Sequence, residues 1–240
     1  MAYKDRINLD GTHNARDIGG YPTADNKTTK LKRFVRTDGL HDLTDDDVKK
    51  LLEYGVSVDI DLRGTDEVAR TSDRLQSVPA IKYVNINLLG HIMDVIASGN
   101  GDVPKSLGDM YIATLKSGQE YFKQIFKLML EDKNATVLFH CSAGKDRTGM
   151  VAAMLLMLAG VEEQTIIEDY AISARYLSPI MDQFSVENDA SLSHFLNSDA
   201  ENIKMFIDAI NKDYGGIEAY LKLCGLRDEE ITNLRASFVE

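Results

Sequence analysis

The sequence predicts an α/β fold in which helices flank a central, mostly parallel sheet, and two observations lead to this prediction. Short apolar or β-branched runs of strand length alternate along the chain with longer segments whose apolar residues recur at helical spacing. The 240 residues also contain no repeat, no low-complexity tract and no shift in composition that would mark a linker. We therefore expect residues 1–240 to form a single domain.

The strands of the predicted sheet are four segments with the length and composition of buried strands. They are residues 31–36, 55–63, 81–89 and 135–140. The last of these leads directly into a short loop and then a helix.

The helices are indicated by capping residues and by periodic apolar positions. Thr44 and the three aspartates after it predict the start of a helix, which we expect to stop at Gly55. A longer amphipathic stretch covers residues 107–130, with an interruption near Ser117 and Gly118. After residue 148 the chain has a mostly helical pattern, including residues 164–175, 200–211 and 216–224.

Charge and composition limit the classes of function. The formal net charge of -11 opposes binding to nucleic acid and to anionic membranes. No apolar run reaches the ~20 residues of a membrane-spanning helix, so we expect no stable membrane insertion. The first residues lack the apolar stretch of a secretory signal, which predicts a cytoplasmic protein, or a secreted one if a signal peptide has been removed. The sequence carries no signal of oligomeric state.

The residues that carry chemistry form the loop after the last predicted strand. Cys141 is followed by Ser142, Ala143, Gly144, Lys145, Asp146 and Arg147. Such a loop can turn successive N–H groups inward as a nest for an anion, and the helix after it adds the positive end of its dipole. Arg147 supplies a planar fork for two phosphate oxygens. We therefore predict that residues 142–147 bind a phosphate dianion.

Cys141 is the candidate nucleophile of this loop. A free cysteine titrates near ~8.5, whereas a cysteine beside a cation or a helix N-terminus titrates at roughly 3.5 to 7.5. We therefore expect a thiolate at neutral pH that needs no separate base. A buried structural thiol is the alternative. Cys224 follows an apolar helical segment, and we expect it to be a core or surface thiol; two cysteines also give neither a disulfide framework nor a zinc-site spacing.

Residues 140–149, with the sequence HCSAGKDRTG, resemble the His-Cys-x5-Arg-Thr-Gly loop of the protein tyrosine phosphatase superfamily. The fuller motif is most similar to that of atypical bacterial tyrosine phosphatases, which also accept phosphoserine, phosphothreonine and phosphoinositides. Residues 14–20 (NARDIGG), 61–63 (DLR) and 215–221 (GGIEAYL) resemble further stretches of that group. The resemblance spans nearly the whole chain.

This resemblance implies the phosphatase-like fold and a two-step hydrolysis of phosphate monoesters. Cys141 would attack phosphorus, Arg147 and the loop N–H groups would hold the oxygens, and water would then hydrolyse the phosphocysteine. The resemblance implies no metal and no other cofactor. It also implies that Thr148 hydrogen-bonds the departing sulfur and that His140 orders the loop. The expected substrates are phosphorylated proteins, phosphoinositides or small phosphate esters.

Two assignments stay open between alternatives. The proton donor to the leaving group is either Asp146, in the loop, or Asp61, at a strand end; we favour Asp146. Lys145 resembles the loop lysine of inositol-lipid phosphatases, which implies phosphoinositide substrates beside phosphotyrosine. The alternative is a lysine that faces solvent or pairs with Asp61 or another carboxylate.

The remaining polar residues are expected to have supporting or surface roles. For Asp17, Arg16 and Arg63, we weigh structural salt bridges that hold the N-terminal segment on the sheet against substrate contact. For residues 168–170 we weigh an approach to the site against an exposed helical face and favour the exposed face. Residues 90–105 and 177–200 are candidates for a lid over the pocket. Surface or loop positions are expected for His13, His41, His91 and His194.

Two other functions compete with phosphate hydrolysis. A sulfurtransferase with a rhodanese-like loop also holds a cysteine in an anion cradle, and a non-catalytic module could keep the cradle for binding alone. A P-loop nucleotide hydrolase is excluded, because Asp146 stands where its hydroxyl residue is needed and Phe139 stands where its first glycine is needed.

Overall fold

The computed structural model describes residues 6–92, 104–187 and 200–240. In these residues the strands form a sheet in the order β1-β2-β5-β3-β4. The strands are β1 (Arg16–Asp17), β2 (Phe34–Thr37), β3 (Val56–Asp61), β4 (Lys82–Asn85) and β5 (Thr136–His140). Neighbouring strands from β2 to β4 are parallel, and only the edge strand β1 is antiparallel to its neighbour. The predicted α/β fold with a mostly parallel sheet is therefore confirmed.

Helices cover both faces of this sheet. They are α1 (Asp45–Tyr54), α2 (Thr65–Arg70), α3 (Leu107–Ser117), α4 (Gln119–Glu131), α5 (Asp146–Ala159), α6 (Glu163–Glu187), α7 (Ala200–Asp213), α8 (Ile217–Leu223) and α9 (Asp228–Phe238). Val137 and Phe139 of β5 belong to the larger apolar core, whereas Leu138 belongs to the smaller core on the other face. The central strand β5 is thus buried on both sides, as a parallel strand between two helical layers must be.

The caps that the sequence indicates are present at α1. The Thr44 side chain accepts a hydrogen bond from the Asp47 N–H, and Asp47 closes the reciprocal bond of a capping box. Gly55 ends the helix in the left-handed conformation, with φ of 109°. The predicted interruption between α3 and α4 falls at Gly118. A Cβ there would lie 2.6 Å from the Thr114 carbonyl oxygen, so glycine allows the chain to turn tightly.

The strands are shorter than predicted where their pairing partners end. Residues 81–89 read as a strand, but β4 stops at Asn85, because it pairs with β3 and β3 stops at Asp61. The strand predicted at residues 31–36 begins only at Phe34, after a turn in which Lys32 has a φ of 60°. The two-residue strand β1 was not predicted, since so short a segment has no periodic pattern.

The topology determines where a site can form. Because β2, β5 and β3 are parallel, their carboxyl ends meet at one edge of the sheet, and ligand sites of open α/β sheets lie at this edge. Cys141 follows β5 at the centre of that edge. Residues 93–103 and 188–199 of the two lid candidates lie outside the described residues, as does His194, whereas residues 177–187 continue α6. None of the helices described is long and apolar enough to cross a membrane.

Candidate active site

The loop between β5 and α5 is closed by contacts on its outer side. The Gly39 N–H donates to the Ser142 carbonyl oxygen at 2.9 Å. The Asn14 amide donates to the carbonyl oxygens of Ala143 and Gly144 at 3.0 and 3.1 Å. In a trans peptide the N–H points away from the carbonyl, and no peptide bond described is cis. The N–H groups of residues 143–145 therefore point to the inside of the loop, where they form the predicted anion nest.

Gly144 lets this loop pack closely on β2. Its φ is 64°, and a Cβ on this residue would lie 2.3 Å from the Thr37 carbonyl oxygen. Both the conformation and the contact exclude a side chain. The glycine that the sequence places in the turn is thus required by the backbone geometry.

A buried ion-pair network supports the same turn from behind. Arg36 donates to the Gly144 carbonyl oxygen at 2.9 Å and to Asp169 at 2.6 Å. Arg16 reaches the other oxygen of Asp169 at 3.1 Å. Burial alone would raise the pKa of Asp169, but Arg16 and Arg36 outweigh burial and hold the pKa well below its usual range. The network joins β1, β2 and α6 to the loop.

This network corrects the prediction for residues 168–170. Glu168 is exposed as expected, but Asp169 and Tyr170 are only 4% and 1% exposed. The exposed-face prediction was wrong for these two because Asp169 is the counter-ion of two buried arginines from distant strands. For Arg16, the structure agrees with the salt-bridge alternative.

Cys141 lies at the floor of the loop and is 2% exposed. Burial alone would raise the pKa of the thiol, and the charge of Arg147 and the hydrogen bonds from the Thr148 side chain and N–H lower it. The lowering effects prevail, so the pKa lies below its ordinary value. The buried Thr148 hydroxyl has no other hydrogen-bond partner in the described residues. Geometry and charge thus favour the thiolate.

Arg147 is held by a carboxylate that the sequence did not single out. Glu67 of α2 pairs with both terminal nitrogens of Arg147, at 2.5 and 2.9 Å, and accepts a hydrogen bond from the Ser142 hydroxyl at 2.5 Å. Burial alone would raise the pKa of Glu67, but Arg147 and Ser142 bring it to about 2. The Gly64 N–H donates to the same carboxylate at 2.9 Å and fixes its direction. Glu67 therefore orients the arginine fork.

Asp146 and Lys145 lie together at the start of α5. The Asp146 side chain is 26% exposed and accepts a hydrogen bond from the Tyr111 hydroxyl. The Lys145 side chain is 2% exposed, and its Nζ lies 3.5 Å from Asp146 Oδ1. The Lys145 side chain therefore does not face solvent. It contacts a carboxylate, as one alternative predicted, and that carboxylate belongs to Asp146 and not to Asp61.

Asp61 is not placed to donate a proton to a ligand. Its carboxylate is fully buried and accepts hydrogen bonds from Arg63 at 2.8 to 3.1 Å and from the Tyr83 hydroxyl at 2.9 Å. Burial would raise the pKa of Asp61, but Arg63 and His140 lower it. A buried, ionised carboxylate in an ion pair has no proton to give, so Asp146 is the better placed of the two candidates. Arg63 is a structural partner of Asp61.

His140 links the loop to a buried charge cluster, which consists of Asp59, Asp61, Asp73, Arg63 and His140 itself. Its Nδ1 lies 3.2 Å from the Cys141 carbonyl oxygen, and its Nε2 lies 2.9 Å from Asp73 and 3.6 Å from Asp59. Burial alone would lower the pKa of His140, but Asp59, Asp73 and Asp61 raise it to about 9. The histidine therefore contacts the peptide of Cys141, and its raised pKa favours a positive charge beneath that peptide.

The ligand atoms of Asp59, Asp73 and His140 lie within 4.8 Å of one another, close enough to hold a metal ion. Arg63 lies 3.8 Å from Asp73, however, and supplies positive charge together with His140. Burial raises the pKa of Asp59, and the charge of His140 opposes this shift. We therefore interpret the group as a charge network that needs no metal.

Asp17 lies away from the loop. Its carboxylate accepts hydrogen bonds from the N–H groups of Gly19 and Lys32 and from the Tyr54 hydroxyl, all at 2.6 Å. These contacts hold the turn after β1 against β2 and α1. These contacts favour a structural role for Asp17 over substrate contact. Cys224 is a core thiol, 4% exposed.

This chain is similar to several known proteins. The sequence model of the tyrosine phosphatase family matches residues 7–240. A tyrosine-protein phosphatase of Nostoc commune is 37% identical over 213 residues, which cover 84% of this chain and 72% of that protein. PtpB of Mycobacterium tuberculosis, a triple specificity protein phosphatase, is 26% identical over 95% of this chain and 96% of its own length. A structure of TpbA from P. aeruginosa overlaps 90% of this chain and 95% of its own, with 14% identity and a TM-score of 0.39.

Proposed function

Given that this chain belongs to the tyrosine phosphatase family and is a phosphatase, we propose that it hydrolyses phosphate monoesters through a covalent phosphocysteine on Cys141. One observation carries the proposal. A buried thiol with a lowered pKa lies at the floor of a loop whose N–H groups point inward, beside the Arg147 fork. This arrangement suits a dianionic phosphoryl group and a sulfur nucleophile, and it suits neither a disulfide nor an inert core thiol.

In the first step, the Cys141 thiolate forms a bond to phosphorus while the bond from phosphorus to the leaving oxygen breaks. Asp146 gives its proton to that oxygen. The inward N–H groups and Arg147 stabilise the charge on the three equatorial oxygens, which is where the transition state concentrates it.

In the second step, water attacks the phosphocysteine and returns a proton to Asp146. Phosphate leaves as the sulfur–phosphorus bond breaks, and the Thr148 hydroxyl stabilises the returning thiolate. The ionised Glu67 carboxylate holds Arg147 in position throughout.

The proposed substrates are phosphotyrosine and, because PtpB is named a triple specificity phosphatase, also phosphoserine and phosphothreonine in proteins. That phosphoinositides are also substrates is a prediction, and it depends on Lys145. Its Nζ lies beside Asp146, within the same loop that would hold the phosphate. Lys145→Ala should then lower phosphoinositide turnover more than phosphotyrosine turnover, and an equal loss for both would contradict the selecting role.

The deciding experiment is the hydrolysis of para-nitrophenyl phosphate by the wild-type protein, Cys141→Ser and Cys224→Ser. We expect activity to disappear in Cys141→Ser and to persist in Cys224→Ser, because Cys224 is a buried residue at the end of α8. A rapid quench with a radiolabelled substrate should trap phosphate on the wild-type chain only. Turnover that survives in Cys141→Ser contradicts the proposal. Thiosulfate consumption would favour a sulfurtransferase, and vanadate binding without turnover would favour a binding module.

A further inference from the structure

Two buried tyrosine hydroxyls form a hydrogen-bonded chain that ends on Asp146. Tyr111 of α3 donates to Asp146 Oδ1, and its hydroxyl lies 2.7 Å from that of Tyr170 on α6. Both tyrosines are 1% exposed. Helices α3, α5 and α6 thus converge on one carboxylate at the loop.

Packing of the aromatic rings does not explain why residues 111 and 170 are tyrosine and not phenylalanine. The rings of Tyr111 and Tyr170 meet edge to face at 6.4 Å, and Tyr111 meets Phe206 in the same way at 6.2 Å. Phenylalanine at either position would make the same ring contacts. A buried hydroxyl costs free energy unless it is hydrogen-bonded, so the partner of Tyr111 is the informative feature.

Among the described residues, the side-chain contacts on Asp146 fall on one of its two oxygens. Tyr111 donates to Oδ1, and the Lys145 ammonium lies 3.5 Å from the same atom. With Oδ1 held, rotation of the carboxyl group is restricted, and Oδ2 is the oxygen left to carry a transferable proton. The partial exposure of this side chain, 26%, is consistent with access from the pocket.

Gly149 makes the approach of Tyr170 feasible. A Cβ at residue 149 would lie 2.8 Å from Tyr170 Cδ2, too close for any side chain without a shift of the ring. The glycine of the Arg-Thr-Gly sequence therefore lets the ring lie against the first turn of α5, where its hydroxyl meets that of Tyr111.

We propose that Tyr111, supported by Tyr170, is a positioning residue that aims the Asp146 carboxyl at the leaving oxygen; this inference rests on the proposed role of Asp146 as the proton donor. Burial raises the pKa of Tyr111, and the nearby Asp146 raises it further, so the phenol keeps its proton and remains a donor. The proton that moves comes from Asp146 Oδ2. The hydrogen bond from Tyr111 then stabilises the carboxylate that remains.

The test compares two substrates with Tyr111→Phe. Phenyl phosphate releases a weakly acidic phenol and needs a proton, whereas 2,4-dinitrophenyl phosphate releases a strongly acidic phenol and does not. We expect kcat/KM to fall roughly tenfold to a hundredfold for phenyl phosphate and less than about threefold for the dinitrophenyl ester. The alkaline limb of the pH profile for phenyl phosphate should move to higher pH, because the carboxylate has lost a donor. Tyr170→Phe should give a smaller effect of the same kind.

Tyr220→Phe is the matched control. It removes a buried hydroxyl that donates to the Leu115 carbonyl oxygen at 2.8 Å, and it should change both substrates equally or not at all. An equal loss on both substrates in Tyr111→Phe, or an additive loss in Tyr111→Phe combined with Asp146→Asn, would overturn the inference. If Tyr111→Phe does not fold, Tyr170→Phe gives the same comparison. If Tyr111→Phe gives one of these contrary results, the outcome expected for Cys141→Ser is unchanged. The positioning role of Tyr111 and the phosphocysteine mechanism can therefore be contradicted independently.

Discussion

Asp169 and Tyr170 are neighbours on α6, and they support the phosphate loop at two different points. Asp169 holds Arg36, which donates to the Gly144 carbonyl oxygen. Tyr170 meets the hydroxyl of Tyr111, which donates to Asp146. One turn of a helix therefore braces the loop at its tight turn and at the first residue of α5.

The first prediction concerns the buried ion pairs of Asp169. Asp169→Ala leaves two buried arginines without their counter-ion, and breaking a buried pair from one side costs about 3 to 5 kcal/mol of unfolding free energy. Urea denaturation followed by circular dichroism measures this loss. Glu168→Ala, at the exposed neighbour, should stay within about 0.5 kcal/mol of the wild-type protein. Comparable values for the two variants would show that the network does not stabilise the fold.

Glu67→Gln should weaken catalysis with little effect on folding. A hydrogen bond between charged groups is worth about 1.5 to 3 kcal/mol, so loss of the ion pair should lower kcat/KM roughly tenfold to a hundredfold. Steady-state kinetics and vanadate inhibition both measure the effect, since both depend on the orientation of Arg147. Asp66→Asn, at an exposed position on the same helix, is the control. Unchanged kinetics in Glu67→Gln would mean that Arg147 is held without the carboxylate.

The thiolate of Cys141 can be titrated directly. The rate of inactivation by iodoacetamide should rise with pH around a midpoint below the ~8.5 of a free cysteine. Thr148→Val removes a hydroxyl that favours the thiolate, so the midpoint should rise by about one unit or more. Thr114→Val, which removes a buried hydroxyl bonded within its own helix, should leave the midpoint unchanged. A wild-type midpoint near that of a free thiol would remove the basis of the mechanism.

The buried charge cluster predicts a loss of stability in alkali. The pKa of His140 is raised from 6.5 to about 9 in the folded chain, so its stabilising contribution is complete below pH ~6.5 and is lost as pH rises through about 9. At about 1.4 kcal/mol per pKa unit, the loss is on the order of 3 kcal/mol. Asp59, Asp61 and Asp73 are the carboxyl groups that face the histidine, and Arg63 is the neighbouring cation.

Urea midpoints at pH 6.5 and pH 9.5 test this dependence. Asp73→Asn removes the closest partner of the histidine and should reduce the difference between the two pH values. His41→Asn, at an exposed position, should retain it. A wild-type protein equally stable at both pH values would contradict a charged His140.

The sequence alone was sufficient to predict those parts of the site that are contiguous in the chain. The loop, its cysteine and its arginine lie within seven residues, between a strand and a helix whose patterns are clear. The supports could not be predicted, because they join residues far apart: Glu67 pairs with Arg147 across 80 positions, and Arg36 with Asp169 across 133. A polar residue on a helix has no local pattern that distinguishes a buried counter-ion from a solvated one, which is why residues 168–170 were placed on the surface.

The amide of Asn14 reaches the loop carbonyls across 129 positions of the chain. A ribosome must therefore deliver the loop, α5 and most of α6 before the amino-terminal segment has anything to hold. Until then the nascent chain carries its reactive sulfur without the cradle that activates it. Competence for catalysis is in this sense acquired only after more than half of the 240 residues have been made, when the amino-terminal segment meets the loop.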